Sequence, residues 1–270
     1  MWRFFNGLYY VLADWCGNLV QTLINERMIV KEKIGKGFLK ILVACEESQA
    51  VTIELRKLGH EAYSCDLLEQ SGGHPEWHIK GDAIKEAYSG KYDMMICFPT
   101  CTYLTVSGLH WNKKQPERAV KTELALDFVQ KLMNAPIKYI ALENPVGCIS
   151  SRIRKPNQTI NPYQFGDDAS KRTCLWLKGL PPLEPTKYIE PRIIEGKKRW
   201  ANQMDSGQNA TYDENNKIVG WNDPRIKGLR SKTYKGIAQA MAEQWTNPNN
   251  FEKVEERGLF SFTDEPNKAD

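Results

Sequence analysis

Between residues 39 and 177 the chain alternates short apolar runs with amphipathic stretches. Lys40-Ile41-Leu42-Val43-Ala44 is a continuous apolar run of strand length. Glu61-Ala62-Tyr63-Ser64-Cys65, Tyr92-Asp93-Met94-Met95-Ile96-Cys97, residues 137–142 and Thr173-Cys174-Leu175-Trp176-Leu177 repeat that pattern. Between them lie helical periods. Residues 49–58 predict a helix with Val51, Leu55 and Leu58 inward, closed by Gly59. Gly81-Asp82-Ala83 leads into a short helix, and Pro116 opens a long one whose Val120, Leu124, Phe128 and Leu132 share a face. Near-continuous apolar strands alternating with helices at this spacing imply an α/β fold, with a mostly parallel sheet covered on both faces.

The flanks read differently. Trp2, Phe5, Leu8, Leu12, Trp15, Leu19 and Leu23 form one stripe of an amphipathic helix, which Asn6, Asp14, Asn18 and Gln21 interrupt too often for a bilayer span. A helix docked on the body is expected, with attachment at a membrane surface as the weaker alternative. Residues 181–228 are rich in Pro, Asn, Lys and Gly without periodicity, and then residues 234–245 are helical again, with Ile237, Met241 and Trp245 aligned. The resulting division is an N-terminal extension (1–36), a core (37–183), a small basic insert (184–228), a helix returning to the core (229–246) and a polar tail (247–270).

Charge changes the picture only through its distribution. The net charge is +4, yet residues 184–235 hold eleven Lys/Arg against seven Asp/Glu, and residues 152–178 hold six against two, so the second half is a candidate polyanion surface. Seven cysteines, an odd number without a CxxC pair, argue against a disulfide framework and a zinc ribbon and fit a reducing cytoplasm. Cys65, His74 and His78 could be weighed as a metal set, but Pro75 breaks the helix that their spacing would need, so no metal is expected.

Three reactive side chains fall just past strands: Asp66 after the second, Cys101 in Phe98-Pro99-Thr100-Cys101-Thr102-Tyr103-Leu104 after the fourth, and Glu143 in Glu143-Asn144-Pro145 after the fifth. In open α/β sheets the ligand crevice lies outside the carboxyl ends of the strands. An acid about twenty residues after the first strand-to-helix turn suits a ribose. A thiol and a carboxyl group in one crevice suit covalent catalysis assisted by proton donation.

The order Pro99-x-Cys101, Glu143-Asn144-Pro145, Tyr163-x-Phe165-Gly166, Lys171-Arg172 running into a strand, and a last helix with Ser231-Lys232-Thr233 before it resembles the DNA cytosine-5 methyltransferases, most closely the short members found in bacteriophage genomes. The resemblance covers residues 39–245. It implies a Rossmann-like fold dependent on S-adenosylmethionine, with DNA as partner and a monomer as the expected state. It also implies that Cys101 adds to carbon 6 of a flipped cytosine, so a cation close to the thiol is expected. By the same resemblance Glu143 serves ring nitrogen 3 as an acid, and Arg172 lies beside the flipped base. Asp66 is similar to the ribose-binding acid and Asp82 belongs to the adenine-contacting segment, with Ser48 and Pro99 also expected at the cofactor. Thr102, Lys171, Lys197, Lys198 and Arg199 are the expected DNA contacts.

Where this family has a glycine-rich turn, the chain has Ala44-Cys45-Glu46-Glu47-Ser48-Gln49, and a carboxylate of Glu46 or Glu47 is expected to meet the cofactor's ammonium group. Thr100 replaces the proline usual before the nucleophile. The short insert implies weak or partner-dependent sequence recognition, with Lys197, Lys198 and Arg199 supplying affinity through phosphates. Two other readings stay open: a DNA-binding protein that kept the scaffold and lost catalysis, and a different pyrimidine-modifying enzyme that uses the same thiol addition.

Overall fold

The computed structural model describes residues 38–211, 213, 215, 217–220, 223 and 232–250. The amphipathic stretch of residues 1–36, residues 221–222 and 224–231 at the end of the expected insert (with Ser231 of the last motif) and the tail from 251 lie outside them.

A seven-stranded sheet orders the molecule. Its strands are β1 (Lys40–Ala44), β2 (Glu61–Asp66), β3 (His78–Lys80), β4 (Met94–Cys97), β5 (Tyr139–Pro145), β6 (Gln158–Ile160) and β7 (Thr173–Lys178), in the spatial order β3-β2-β1-β4-β5-β7-β6. The first five in that order run parallel, while β7 is antiparallel to both neighbours. This is a Rossmann-like α/β sheet of the kind the methyltransferase resemblance implies. The chain leaves β1 first for β2 and later for β4 on the other side, so a topological switch point lies at the carboxyl ends of β1 and β4.

Period-two alternation distributes the core. Ile41 and Val43 of β1 pack on one face with α1 (Ala50–Lys57) and α4 (Lys235–Thr246), including Met241 and Trp245. Leu42 and Ala44 pack on the other, with α2 (Ala83–Ala87) and α3 (Pro116–Met133). Because both faces are covered, the central strands are apolar: β4 throughout, and β1 after Lys40.

Two helix faces differ from the sequence expectation. On α3, Val120 and Leu124 are exposed, and Thr122, Leu126, Val129 and Leu132 are buried. The polar residue at the inner position 122 disguises the stripe, since its hydroxyl serves a loop rather than the core. Leu58, expected inward, lies past the end of α1 and is exposed.

The insert has more order than its composition suggests. Tyr163 stacks on Trp200 at 4.4 Å between ring centroids, and Tyr188 meets Tyr163 edge-on. A hairpin of β8 (Arg192–Ile194) and β9 (Lys197–Arg199) turns through Glu195 and Gly196, both with positive φ. Asn202 accepts from the Ser170 amide at 2.8 Å and donates to its carbonyl at 3.0 Å, tying the insert to the segment that leads into β7.

The return of α4 depends on a glycine. The Gly236 amide donates to Asp167 Oδ2 at 2.9 Å, and a Cβ there would stand 1.8 Å from the Phe165 carbonyl oxygen. Gly236→Ala should therefore push α4 off the sheet and cost about 3 kcal/mol, as overpacking against backbone does. Urea denaturation measures it, and an unchanged midpoint would show that α4 is not seated through this contact.

Candidate active site

Cys101 is exposed, but the loop that carries it is anchored. Leu104, three residues on, is fully buried, a contribution of about 1.5–3 kcal/mol toward holding the loop on the body. The Leu104 and Thr105 amides both donate to the Cys101 carbonyl, at 3.0 and 3.1 Å, so the thiol stands at the start of a tight turn.

Glu143 comes from the neighbouring strand. Cys97, the last residue of β4, pairs with Leu142 of β5, so the nucleophile loop and Glu143 leave adjacent parallel strands at the same edge. Three further links join them. The Asn144 side-chain amide donates to the Pro99 carbonyl at 2.7 Å, the Cys148 amide donates to the Leu104 carbonyl at 2.8 Å, and the Val106 amide donates to the Val146 carbonyl at 3.3 Å. Gly147 permits this closeness, because a Cβ there would lie 2.0 Å from the Leu104 carbonyl oxygen.

The surroundings of Glu143 favour its acid form. Burial pushes its pKa up, while Lys171 and a hydrogen bond from Thr173 oppose that rise. Removing the cation by Lys171→Met should raise the pKa further, so the protonated acid would persist to higher pH. The alkaline limb of the reaction's pH profile should then move upward. A limb that stays in place or moves down would exclude electrostatic control by Lys171.

The residues expected at the cofactor lie further along the same edge. Asp66 ends β2 and accepts the Leu68 amide at 2.9 Å, and the exposed Asp82 caps α2 by accepting the Ile84 amide at 2.8 Å. Both bear electrostatically on Cys45, whose thiol is pushed up chiefly by burial and then by Asp66. The Cys97 thiol is raised by burial, with Cys45 and Glu143 adding to it. The titrating groups thus follow one another along the edge from β2 through β1 and β4 to β5. The Phe98 amide bonds the Ala44 carbonyl at 3.0 Å, joining the turn after β1 to the nucleophile loop at the switch point.

The glycine-free turn makes the backbone shape that glycine usually supplies. Cys45 has φ 60° and Gln49 has φ 56°, both in the left-handed region, at a cost of about 1–2 kcal/mol each. Gln49, which sequence reasoning did not single out, is fully buried and holds the His74 region through its side chain, donating to the His74 carbonyl at 2.8 Å and accepting the His74 amide at 3.1 Å. A β1-to-α1 turn without glycine was the available signal for such strain.

Glu46 is a correction. It is 4% exposed and accepts from the Val51 amide at 2.7 Å, the Thr52 amide at 3.2 Å and the Thr52 hydroxyl at 2.8 Å, which closes the amino end of α1. Burial pushes its pKa up to about 7 against those three donors. Its carboxyl group is engaged with the helix and does not face a ligand ammonium. Ser48 is half-buried, and Glu47 bonds the Ser71 hydroxyl. Pro99 is buried, its carbonyl held by Asn144.

The expected DNA contacts, taken together with Arg172, separate into two groups. Thr102 and Arg172 are exposed, and Lys171 is half-buried between Glu143 and the Tyr234 ring, 5.9 Å from its centroid; these three belong to the Cys101–Glu143 edge or the start of β7. Lys197 and Lys198 are exposed on the hairpin. The Arg199 guanidinium folds back on the hairpin, donating through Nε to the Asp205 carbonyl at 3.0 Å and through Nη1 to the Lys198 carbonyl at 2.9 Å.

Among the described residues no group of three or more His, Cys, Asp and Glu side chains is placed to hold a metal ion. His78, weighed above as a ligand, has Nδ1 2.8 Å from the Ser64 hydroxyl and Nε2 3.0 Å from the Leu68 carbonyl. Among the same residues no helix is long and apolar enough to cross a membrane.

No protein-family profile and no curated protein matches the chain. Among solved structures it is similar to a candidate DNA modification methyltransferase encoded within an E. coli prophage, at 12% identity and a TM-score of 0.40. That match covers 58% of this chain and 53% of the other, so the chain spans about half the length of that protein.

Proposed function

We propose that this protein transfers a methyl group from S-adenosylmethionine to carbon 5 of cytosine in DNA, through a covalent adduct between Cys101 and a flipped base. The observation that carries the reading is the locking of the Cys101 loop against the Glu143 strand by the Asn144–Pro99, Cys148–Leu104 and Val106–Val146 hydrogen bonds. An exposed thiol and a half-buried acid with a raised pKa are thereby held at one strand edge, and such groups cluster at catalytic sites.

Each residue has a chemical task. The Cys101 thiolate adds to carbon 6 of the ring, and the displaced electron pair passes toward nitrogen 3, where Glu143 delivers its proton. Carbon 5 is thereby made nucleophilic enough to take a methyl group. After transfer, nitrogen 3 returns its proton to Glu143, and loss of the carbon 5 proton to a base expels the thiolate and restores the ring. Neutral Glu143 matters because a carboxylate would repel the electron density that addition pushes toward nitrogen 3.

The residues present fit the methyl donor. Asp66 offers a carboxylate at the end of β2 for ribose hydroxyls, Asp82 lies beyond it, and the left-handed Cys45 lets the turn after β1 lie close to a ligand without glycine. The donor carries no phosphates, so a phosphate-cradling glycine loop is not required. Bound there, S-adenosylmethionine supplies an electrophilic methyl group on a sulfonium.

The test is trapping. With S-adenosylmethionine present, DNA containing 5-fluorocytosine should form a denaturation-resistant adduct, because the fluorine cannot leave as a cation. Absence of cofactor binding by calorimetry would favour a DNA-binding scaffold. Methylation of free deoxycytidine nucleotides and not of DNA would favour another pyrimidine-modifying enzyme.

A further inference from the structure

We infer that Arg118 is a positioning residue for Cys101, a clamp reaching from α3 that sets the geometry of the nucleophile loop; for its catalytic consequence this rests on the reading above. The Arg118 side chain bridges both ends of the loop. Its Nη2 donates to the Thr102 carbonyl at 2.7 Å and its Nε to the Gly108 carbonyl at 3.2 Å, while the guanidinium lies over the Tyr103 ring at 4.9 Å from the centroid. Gly108 gives it room, since a Cβ there would stand 2.4 Å from Nη2. One turn further along α3, the Thr122 hydroxyl lies 3.1 Å from the Tyr103 carbonyl and accepts from the Asn112 side-chain amide at 2.9 Å.

The carbonyl of Cys101 is taken by the Leu104 and Thr105 amides, and that of Leu104 by the Cys148 amide. Between them, Thr102 and Tyr103 are served by the side chains of α3. Their carbonyls belong to the 102–103 and 103–104 peptide groups, the next two after the one that carries the Cys101 carbonyl, so the planes of these groups fix the turn that Cys101 opens. Each peptide is planar and trans, so holding a carbonyl also aims the next amide the opposite way. Thr102 is exposed; its hydroxyl lies 3.3 Å from that of Thr100, and its carbonyl is held by the fork of the Arg118 side chain. Lysine cannot reproduce that fork, because its single ammonium is a point charge without paired donors in fixed directions.

The experiment compares Arg118→Lys, Arg118→Met and Thr122→Val with the parent protein by two readouts. Hydrogen exchange at the amides of Leu104, Thr105, Val106 and Gly108 reports loop order whatever the reaction is. In both Arg118 variants it should accelerate by about tenfold or more, with β1, β4 and β5 unchanged. The rate of adduct formation on 5-fluorocytosine DNA should fall roughly 10- to 100-fold, with the half-saturating DNA concentration within about threefold of the parent. Thr122→Val should shift both in the same direction by less. Parental exchange in both Arg118 variants overturns the clamp. Parental exchange and rate in Arg118→Lys alone also overturn it, since charge over Tyr103 would then suffice. If the parent protein forms no adduct but the Arg118 variants still accelerate exchange, the clamp stands and the methyl-transfer reading fails.

Discussion

Cys101→Ser should abolish the covalent adduct with 5-fluorocytosine DNA and lower methyl transfer by at least about 10³-fold, the scale of losing a covalent nucleophile. The fold should not notice. Cys101 is exposed, and its loop is held through main-chain groups and the buried Leu104, so exchanging sulfur for oxygen leaves those contacts intact. Serine fails as a nucleophile for a different reason: an alcohol is far less acidic than a thiol and is ionised far less at neutral pH. Thermal melting and DNA affinity near parental values, together with lost transfer, are the expected combination. A variant that keeps a tenth of the activity would remove Cys101 from the reaction, and the buried thiols of Cys65, Cys97, Cys148 and Cys174 are poorly placed to substitute.

Glu143→Gln should lower turnover by about 10²- to 10³-fold, the size seen when one group that stabilises developing charge is removed. DNA affinity should change by no more than about threefold, because glutamine keeps the size and the hydrogen-bonding capacity. The pH dependence carries further information. Burial raises the Glu143 pKa, so the parent rate should fall as pH rises through that raised value and the carboxyl group loses its proton. Glutamine has no proton to lose, and its profile should be flat along that limb. Equal losses in turnover and affinity would mean that Glu143 only shapes the pocket. The Lys171→Met profile, displaced upward, gives an independent measure of the same titration.

The placements of Glu46 and Arg199 share a cause. Glu46 and Arg199 are ionisable residues in polar stretches, where ligand contact is a natural expectation. The structure occupies both with backbone groups: Glu46 with the first amides of α1, and Arg199 with the carbonyls of Asp205 and Lys198. The Glu46 cap could be foreseen only by knowing that α1 starts at Ala50, since the spacing to Val51 and Thr52 has no meaning until then. Asn144 shows the reverse case. Its neighbour Glu143 attracts attention as an acid, while the asparagine beside it, 1% exposed, joins the acid strand to the nucleophile loop.

The chain alone determined the alternation of strands and helices, the placing of Asp66 and Cys101 at the carboxyl ends of their strands, and a last helix through Ile237, Met241 and Trp245, whereas Glu143, expected past its strand, lies inside β5 paired with Leu175. Buried parallel strands and amphipathic helices write themselves into local apolar periods, and a residue just past a strand is visible in those periods. Only the tertiary structure decided that β7 runs antiparallel between β5 and β6, that Cys45 and Gln49 adopt left-handed backbones, that Glu46 turns inward, and that Arg118 reaches the Cys101 loop from α3. Apart from Glu46, whose partners Val51 and Thr52 lie five and six residues on, these depend on which distant groups satisfy a donor or acceptor. That pairing is settled when the whole chain closes around its polar groups, and no short window of residues contains it.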